Sequence, residues 1–170
     1  MPIWPFGRSL LWKEADALVS AVTAASRQPD LFGAERAPDT LEGRFEVMTA
    51  HAALALVRLE AEPGAARLSQ AFADVLFRFF DAGLREAGAS DTAVPKRMRK
   101  LARDFYGRVG AYAAALADAG TLEQALARNI WGAETHPFAP ALAARLAGLA
   151  RLQGQAPVSA LRTPQGWALP

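Results

Sequence analysis

Cysteine is absent from the 170 residues, which excludes disulfides, a thiolate nucleophile and thiolate-bound zinc or iron–sulfur centres. Histidine occurs only at His51 and His136, too few for a multi-histidine metal site. No stretch reaches the roughly 18 apolar residues that a bilayer span needs; the longest, Met48 to Val57, is short and interrupted by Thr49 and His51. The opening MPIWPFGRSLLWKE lacks signal-peptide architecture, because Pro5, Gly7 and Arg8 break its apolar part and no cleavage site follows. The chain is therefore expected to be neither secreted nor membrane-spanning. Neither charge sign dominates: Lys and Arg number 19 against 17 Asp and Glu, so nucleic acid is not demanded as a partner, DNA is not expected, and any basic effect must come from clustering. There is no Gly-rich phosphate loop and no G-x-S-x-G elbow. Nothing supplies a nucleophile, a base and an orienting group together. A non-enzyme with no cofactor and no metal is the expectation.

What is abundant is alanine, with few β-branched residues, and this composition favours helix. Apolar spacing near 100° per residue recurs throughout and predicts an all-α fold, a single irregular bundle of about six helices. The first spans about Glu14 to Arg27 and stops before Pro29. The second follows a cap at Asp39 or Thr40, carries the stripe Leu41, Phe45, Met48, Ala52, Ala55 and Leu59, and ends at Pro63-Gly64. The third runs from about Ala65 to Ala87 and closes at Gly88. The fourth spans about Ala93 to Ala119. Thr121 with Gln124 reads as a capping box for a short fifth helix, and the sixth spans Ala139 to Gln153. Around this helical domain, residues 14–153, lie an aromatic and basic N-terminal arm, residues 1–13, and a tail, residues 154–170, expected to be flexible.

Three surfaces stand out. On the third helix Leu68, Phe72, Val75, Leu76 and Phe79 form one apolar arc, and Phe77, Phe80 and Leu84 form a second that a single core contact does not use. Such a helix is either central in the bundle or half covered by a partner; Phe77, Phe80 and Leu84 are the candidate partner contacts. Its charged strip has the spacing for Asp74–Arg78 and Asp81–Arg85 pairs. On the fourth helix Lys96, Arg99, Lys100 and Arg103 point away from the core stripe Met98, Leu101, Phe105, Val109 and Tyr112, with no carboxylate expected between them. They suit anionic lipid, RNA or an acidic protein surface. In the arm, Trp4, Phe6 and Trp12 beside Arg8 and Lys13 resemble an interfacial membrane anchor, although they equally suit packing against the bundle. His51, flanking an apolar helix, reads as a hydrogen-bonded structural residue.

The segments RQPDLFGAERAPDTLEGRF from Arg27, LSQAFADVLFRFFDAGLREAG from Leu68, SDTAVPKRMRKLARDFYGRVGAYAAAL from Ser90 and LARNIWG from Leu126 resemble the ubiquinol–cytochrome c chaperone family over about Leu18 to Gly132. Two elements depart from it: the family's Asp-Met-Asp element falls where Arg78, Phe79, Phe80 and Asp81 stand, and its Gly-Val-Gly-Asp turn is Gly88-Ala89-Ser90-Asp91. The resemblance implies an assembly factor for respiratory complex III that binds newly made cytochrome b. It also implies, for mitochondrial relatives, a small partner protein near the ribosomal exit region. The expected location is cytoplasmic and peripheral to the bacterial inner membrane, on an anionic surface, or the matrix side in a mitochondrion. The alternative from the residues alone is a ribosome- or RNA-associated module acting through the basic face.

Overall fold

The computed structural model describes residues 5–116 and 118–170, and among these it is an all-α bundle: α1 Pro5–Ser26, α2 Leu41–Glu60, α3 Ala66–Glu86, α4 Val94–Ala115, α5 Ala119–Leu126 and α6 Ala139–Gln155. Local chemistry explains the boundaries. The Thr40 hydroxyl accepts the Gly43 N–H at 3.1 Å and so caps α2. Gly43 itself is required by close approach, since a Cβ there would lie 2.0 Å from the Pro38 carbonyl oxygen. Gly64, Gly88 and Gly132 each take φ between 64° and 84°, the left-handed turn that glycine adopts without steric penalty. α5 runs into one π-helical turn, Ala127–Trp131, which the left-handed Gly132 closes.

α2 is the centre. It packs against α1, α3, α4 and α6, and Val47, Ala52, Ala53 and Ala55 along it are wholly excluded from solvent. Leu41, expected on its core stripe, is exposed, because it is the first helical residue and precedes the packed length. α3 is thus not the central helix. It buries Leu68, Phe72, Leu76 and Phe80 against its neighbours, leaves Phe77, Phe79 and Leu84 half-buried, and turns Gln70, Asp74, Arg78 and Arg85 to solvent.

Both ends differ from the expected arm and tail. Residues 5–13 are not a separate arm but the first turns of α1. Residues 154–170 are not loose: α6 continues to Gln155, and two 3-10 turns, Val158–Arg162 and Pro164–Trp167, fold back on the bundle. Trp167 is buried beside the His51 ring, and its indole N–H donates to the Leu161 carbonyl at 2.8 Å. The Gln153 amide donates to the Gly166 carbonyl at 3.1 Å, Arg58 donates to the carbonyls of Gln153 and Ala156, and Arg162 pairs with Glu14 on α1. Pro and Gly made this segment look unstructured, whereas one buried indole and carbonyl partners distant in sequence anchor it. Trp167→Ala is expected to destabilise the protein by about 3–5 kcal/mol in urea unfolding; a loss below about 0.5 kcal/mol, typical of a surface change, would mean the tail is not part of the fold.

Candidate functional site

The α3–α4 hairpin carries a continuous aromatic seam. Phe77 on α3 lies edge-on to Phe80 at 5.9 Å and to Phe105 of α4 at 5.4 Å between ring centroids. It also lies beside Tyr106 at 5.7 Å. Phe80 in turn meets Phe45 of α2 at 5.3 Å. These offset and edge contacts are the favourable arrangements for aromatic pairs, and they run from a sealed interior to a wet rim: Phe105 and Phe80 are buried, Phe77 is half-buried and Tyr106 is 53% exposed. Of the expected partner contacts, Phe80 is therefore core in the isolated protein, because Phe45 of α2 covers it. Phe77 and Leu84 keep partly open surface.

Beneath the seam an ion pair fastens α4 to α2. Glu46 is buried and receives the Nε–H of Arg108, whose guanidinium also lies 5.9 Å from the Phe45 ring centre. Burial raises the Glu46 pKa above the ordinary carboxylate value, and the Arg108 contact partly opposes that rise.

The charged strip of α3 departs from its expected pairing. Asp81 and Arg85 do pair, at 2.7 Å. Arg78 instead lies over the Trp12 ring at 4.4 Å, which leaves Asp74 with the Gln70 amide at 2.9 Å as its partner. Two shallow grooves flank Arg78. One, of about 500 Å³, lies between α1 and α3 over Trp12 and Phe79; the other, of about 460 Å³, lies over Phe77 between Asp74 and Asp81. Burial chiefly, and the Asp74 charge second, raise the Tyr106 pKa, so the phenol rim and this carboxylate are neighbours. Trp12 of the expected membrane arm is thus half-buried under an arginine. Trp4 lies outside the described residues, and Phe6 is described in its backbone alone.

On α4, Lys96, Arg99, Lys100 and Arg103 are all exposed. A carboxylate does intervene: Asp104 accepts from Lys100 at 2.6 Å and lies 3.5 Å from Arg103, one helical turn being the spacing for such a pair. The Lys100 hydrogen bond lowers the Asp104 pKa. Among the described residues, Lys96, Arg97 and Arg99 have no carboxylate within ion-pair distance.

His51 is enclosed, wholly without solvent contact. Its Nδ1 lies 2.8 Å from the Val47 carbonyl oxygen, so in the neutral ring Nδ1 carries the proton and donates it. Its Nε2 has no partner among the described residues. Burial pushes its pKa down to about 4. No group of His, Asp and Glu able to hold a metal ion occurs among the described residues, and no helix among them is long and apolar enough to cross a membrane.

The depressed His51 value fixes a pH dependence. Between the ordinary pKa of 6.5 and about 4 the unfolded chain takes up a proton that the folded chain refuses. Stability is therefore expected to fall as pH drops through that window, by about 3 kcal/mol from this group. Urea unfolding at pH 7 and pH 4.5 should show the fall, and His51→Gln should flatten it relative to the native chain. An equal slope in both proteins would contradict the assignment.

The α3–α4 face presents an aromatic rim, carboxylates and cations on adjoining sides. The comparisons with known proteins agree in kind. The model of the family described as ubiquinol-cytochrome C chaperone matches residues 35–162, a range that starts later than the matching motifs and runs on into the docked tail, ending before the turn that carries Trp167. The crystal structure of the Cbp3 homolog from Brucella abortus is similar at 39% identity, covering 94% of this chain and 91% of that one with a TM-score of 0.80. No curated protein matches.

Proposed function

We propose a role from an established premise: the chain belongs to the ubiquinol–cytochrome c chaperone family. The protein serves the assembly of ubiquinol–cytochrome c reductase, respiratory complex III, and it does so by holding newly made cytochrome b. The observation that carries this reading is the family match across residues 35–162. The surface chemistry supports it. A membrane-protein client offers apolar helices and charged loops before it is assembled, and its holder needs open apolar rims and clustered charge. The half-buried Phe77 and Leu84 supply the first, together with the exposed Tyr106; Lys96, Arg97 and Arg99 supply the second.

These unpaired cations give the protein a weak affinity for an anionic surface, so that it works against the membrane where its client is inserted. Electrostatic attraction of this kind is screened by salt, so the attachment is peripheral and reversible. The same cations favour a second reading, contact with ribosomal RNA at the site of client synthesis. Binding through several phosphates collapses as salt rises, whereas an apolar client contact persists.

Deletion of the gene is expected to lower assembled complex III, read as b-type haem absorbance in membranes, while other respiratory complexes stay near normal; unchanged cytochrome b would contradict the role. Replacing Lys96 and Arg99 by Glu is expected to leave the melting temperature nearly unchanged, since exposed charges contribute little to stability. It should also abolish co-sedimentation with anionic vesicles at low salt. Undiminished vesicle binding would remove the membrane role of this face.

A further inference from the structure

The middle of α4 contains two glycines that no close packing requires. Gly107 and Gly110 are exposed, and a Cβ added at either would meet nothing within 4 Å among the described residues. Glycine in a helix interior weakens the helix relative to alanine, so α4 carries a local cost that its own packing does not explain. Gly110 lies about one turn beyond Tyr106 on the same side of the helix, beside the most exposed ring of the seam. On the facing helix, Phe77 supplies a second ring and Asp74 a carboxylate whose partner is a neutral amide.

Aromatic faces with a carboxylate at their edge are complementary to a cationic side chain. Bare backbone beside them lets another helix approach closely. The cations nearest this furrow do not fill it. Arg78 is turned onto Trp12, Arg85 is held by Asp81, and Arg103 stands beside Asp104. We infer that the furrow formed by Phe77, Tyr106 and Asp74, with the smooth flank of Gly107 and Gly110, docks a helical segment of the client that presents Lys or Arg next to small or apolar residues. The proposal rests on the reading of the protein as a chaperone for a membrane protein. The loops and helix ends of such a protein on the cytoplasmic side are enriched in Lys and Arg, which is the chemistry the furrow fits.

The test uses the full chain and two synthetic 20-residue helical peptides of Ala and Leu, one ending in three lysines and one in three glutamates, with fluorescence anisotropy as readout. The lysine peptide is expected to bind and the glutamate peptide not to. Asp74→Asn should weaken the lysine peptide about three- to tenfold, the effect of one or two exposed ion pairs. Gly110→Leu should weaken it tenfold or more while leaving the melting temperature equal or higher, since leucine favours helix over glycine. That opposite movement of stability and binding separates docking from a merely structural role. Equal binding of both peptides, no binding of the lysine peptide, or native affinity in both variants would overturn the proposal. Capture of newly made cytochrome b by the same variants separates the two readings. Native-level capture by Gly110→Leu and Asp74→Asn rejects this surface and keeps the chaperone role. Absence of capture by the native protein rejects the chaperone role, and the peptide measurements then decide the surface alone.

Discussion

Everything in this fold leans on one buried helix. α2 is enclosed by four others, and a run of Ala50, Ala52, Ala53 and Ala55 at 0–1% exposure allows them to come close on several sides, since helix separation is set by the side chains at the contact. Burial on all sides from Glu46 to Leu56 leaves almost no solvent for the polar groups there, so they must be satisfied within the bundle. His51 therefore bonds back to the Val47 carbonyl, Glu46 takes Arg108 from α4, and Arg58 reaches across to the carbonyls that end α6. Thr49 is the residue on this helix whose buried hydroxyl finds no partner among the described residues. The docked C-terminal turns complete the enclosure through Trp167.

Because α2 supplies the centre, α3 and α4 need only one side each for the core and keep another for solvent. Their seam grades from the sealed Phe105 to the open Tyr106, and the Glu46–Arg108 pair beneath it sets the position of α4 against α2. A holder of unassembled protein has to keep apolar surface available without losing its own fold. Here the fold is secured from the α2 side, and the surface can be spent on contact. The glycines of α4 fit the same division, since they weaken a helix that is fastened elsewhere.

The all-α class, the helix order and a cap at Asp39 or Thr40 were legible from periodicity and capping chemistry, and the fold uses Thr40. The family, too, was legible from motifs such as VPKR from Val94 and FYGR from Phe105. The sequence did not reveal which helix is central. The longest apolar run, Met48 to Val57, does lie in α2, but its many alanines are small, and the bulky phenylalanines of α3 made that helix the candidate for the centre. The docked tail was hidden for a related reason: its anchor is a single indole and a few carbonyls far apart in sequence, which no local pattern encodes. At the candidate site, Phe77 and Leu84 of the second apolar arc of α3 keep partly open surface, but Phe80 belongs to the core because Phe45 covers it. Arg78 pairs with an indole from α1 instead of Asp74 one turn away, a tertiary choice that helical spacing cannot foresee. Tyr106 and the bare flank at Gly107 and Gly110 were visible in the string, yet they gained meaning only when exposure and empty space were known. An apolar position whose neighbours are glycine, lying off the core stripe, is the signal that points to them.

The central claim is that a fold secured around α2 presents the α3–α4 rim to the client. It is tested most directly by placing a photoreactive amino acid at position 106 and, separately, at the exposed Arg151 of α6, then illuminating cells while cytochrome b is being made. The account predicts a crosslink to cytochrome b from position 106 and none from position 151. Crosslinks from 151 without any from 106 would contradict it.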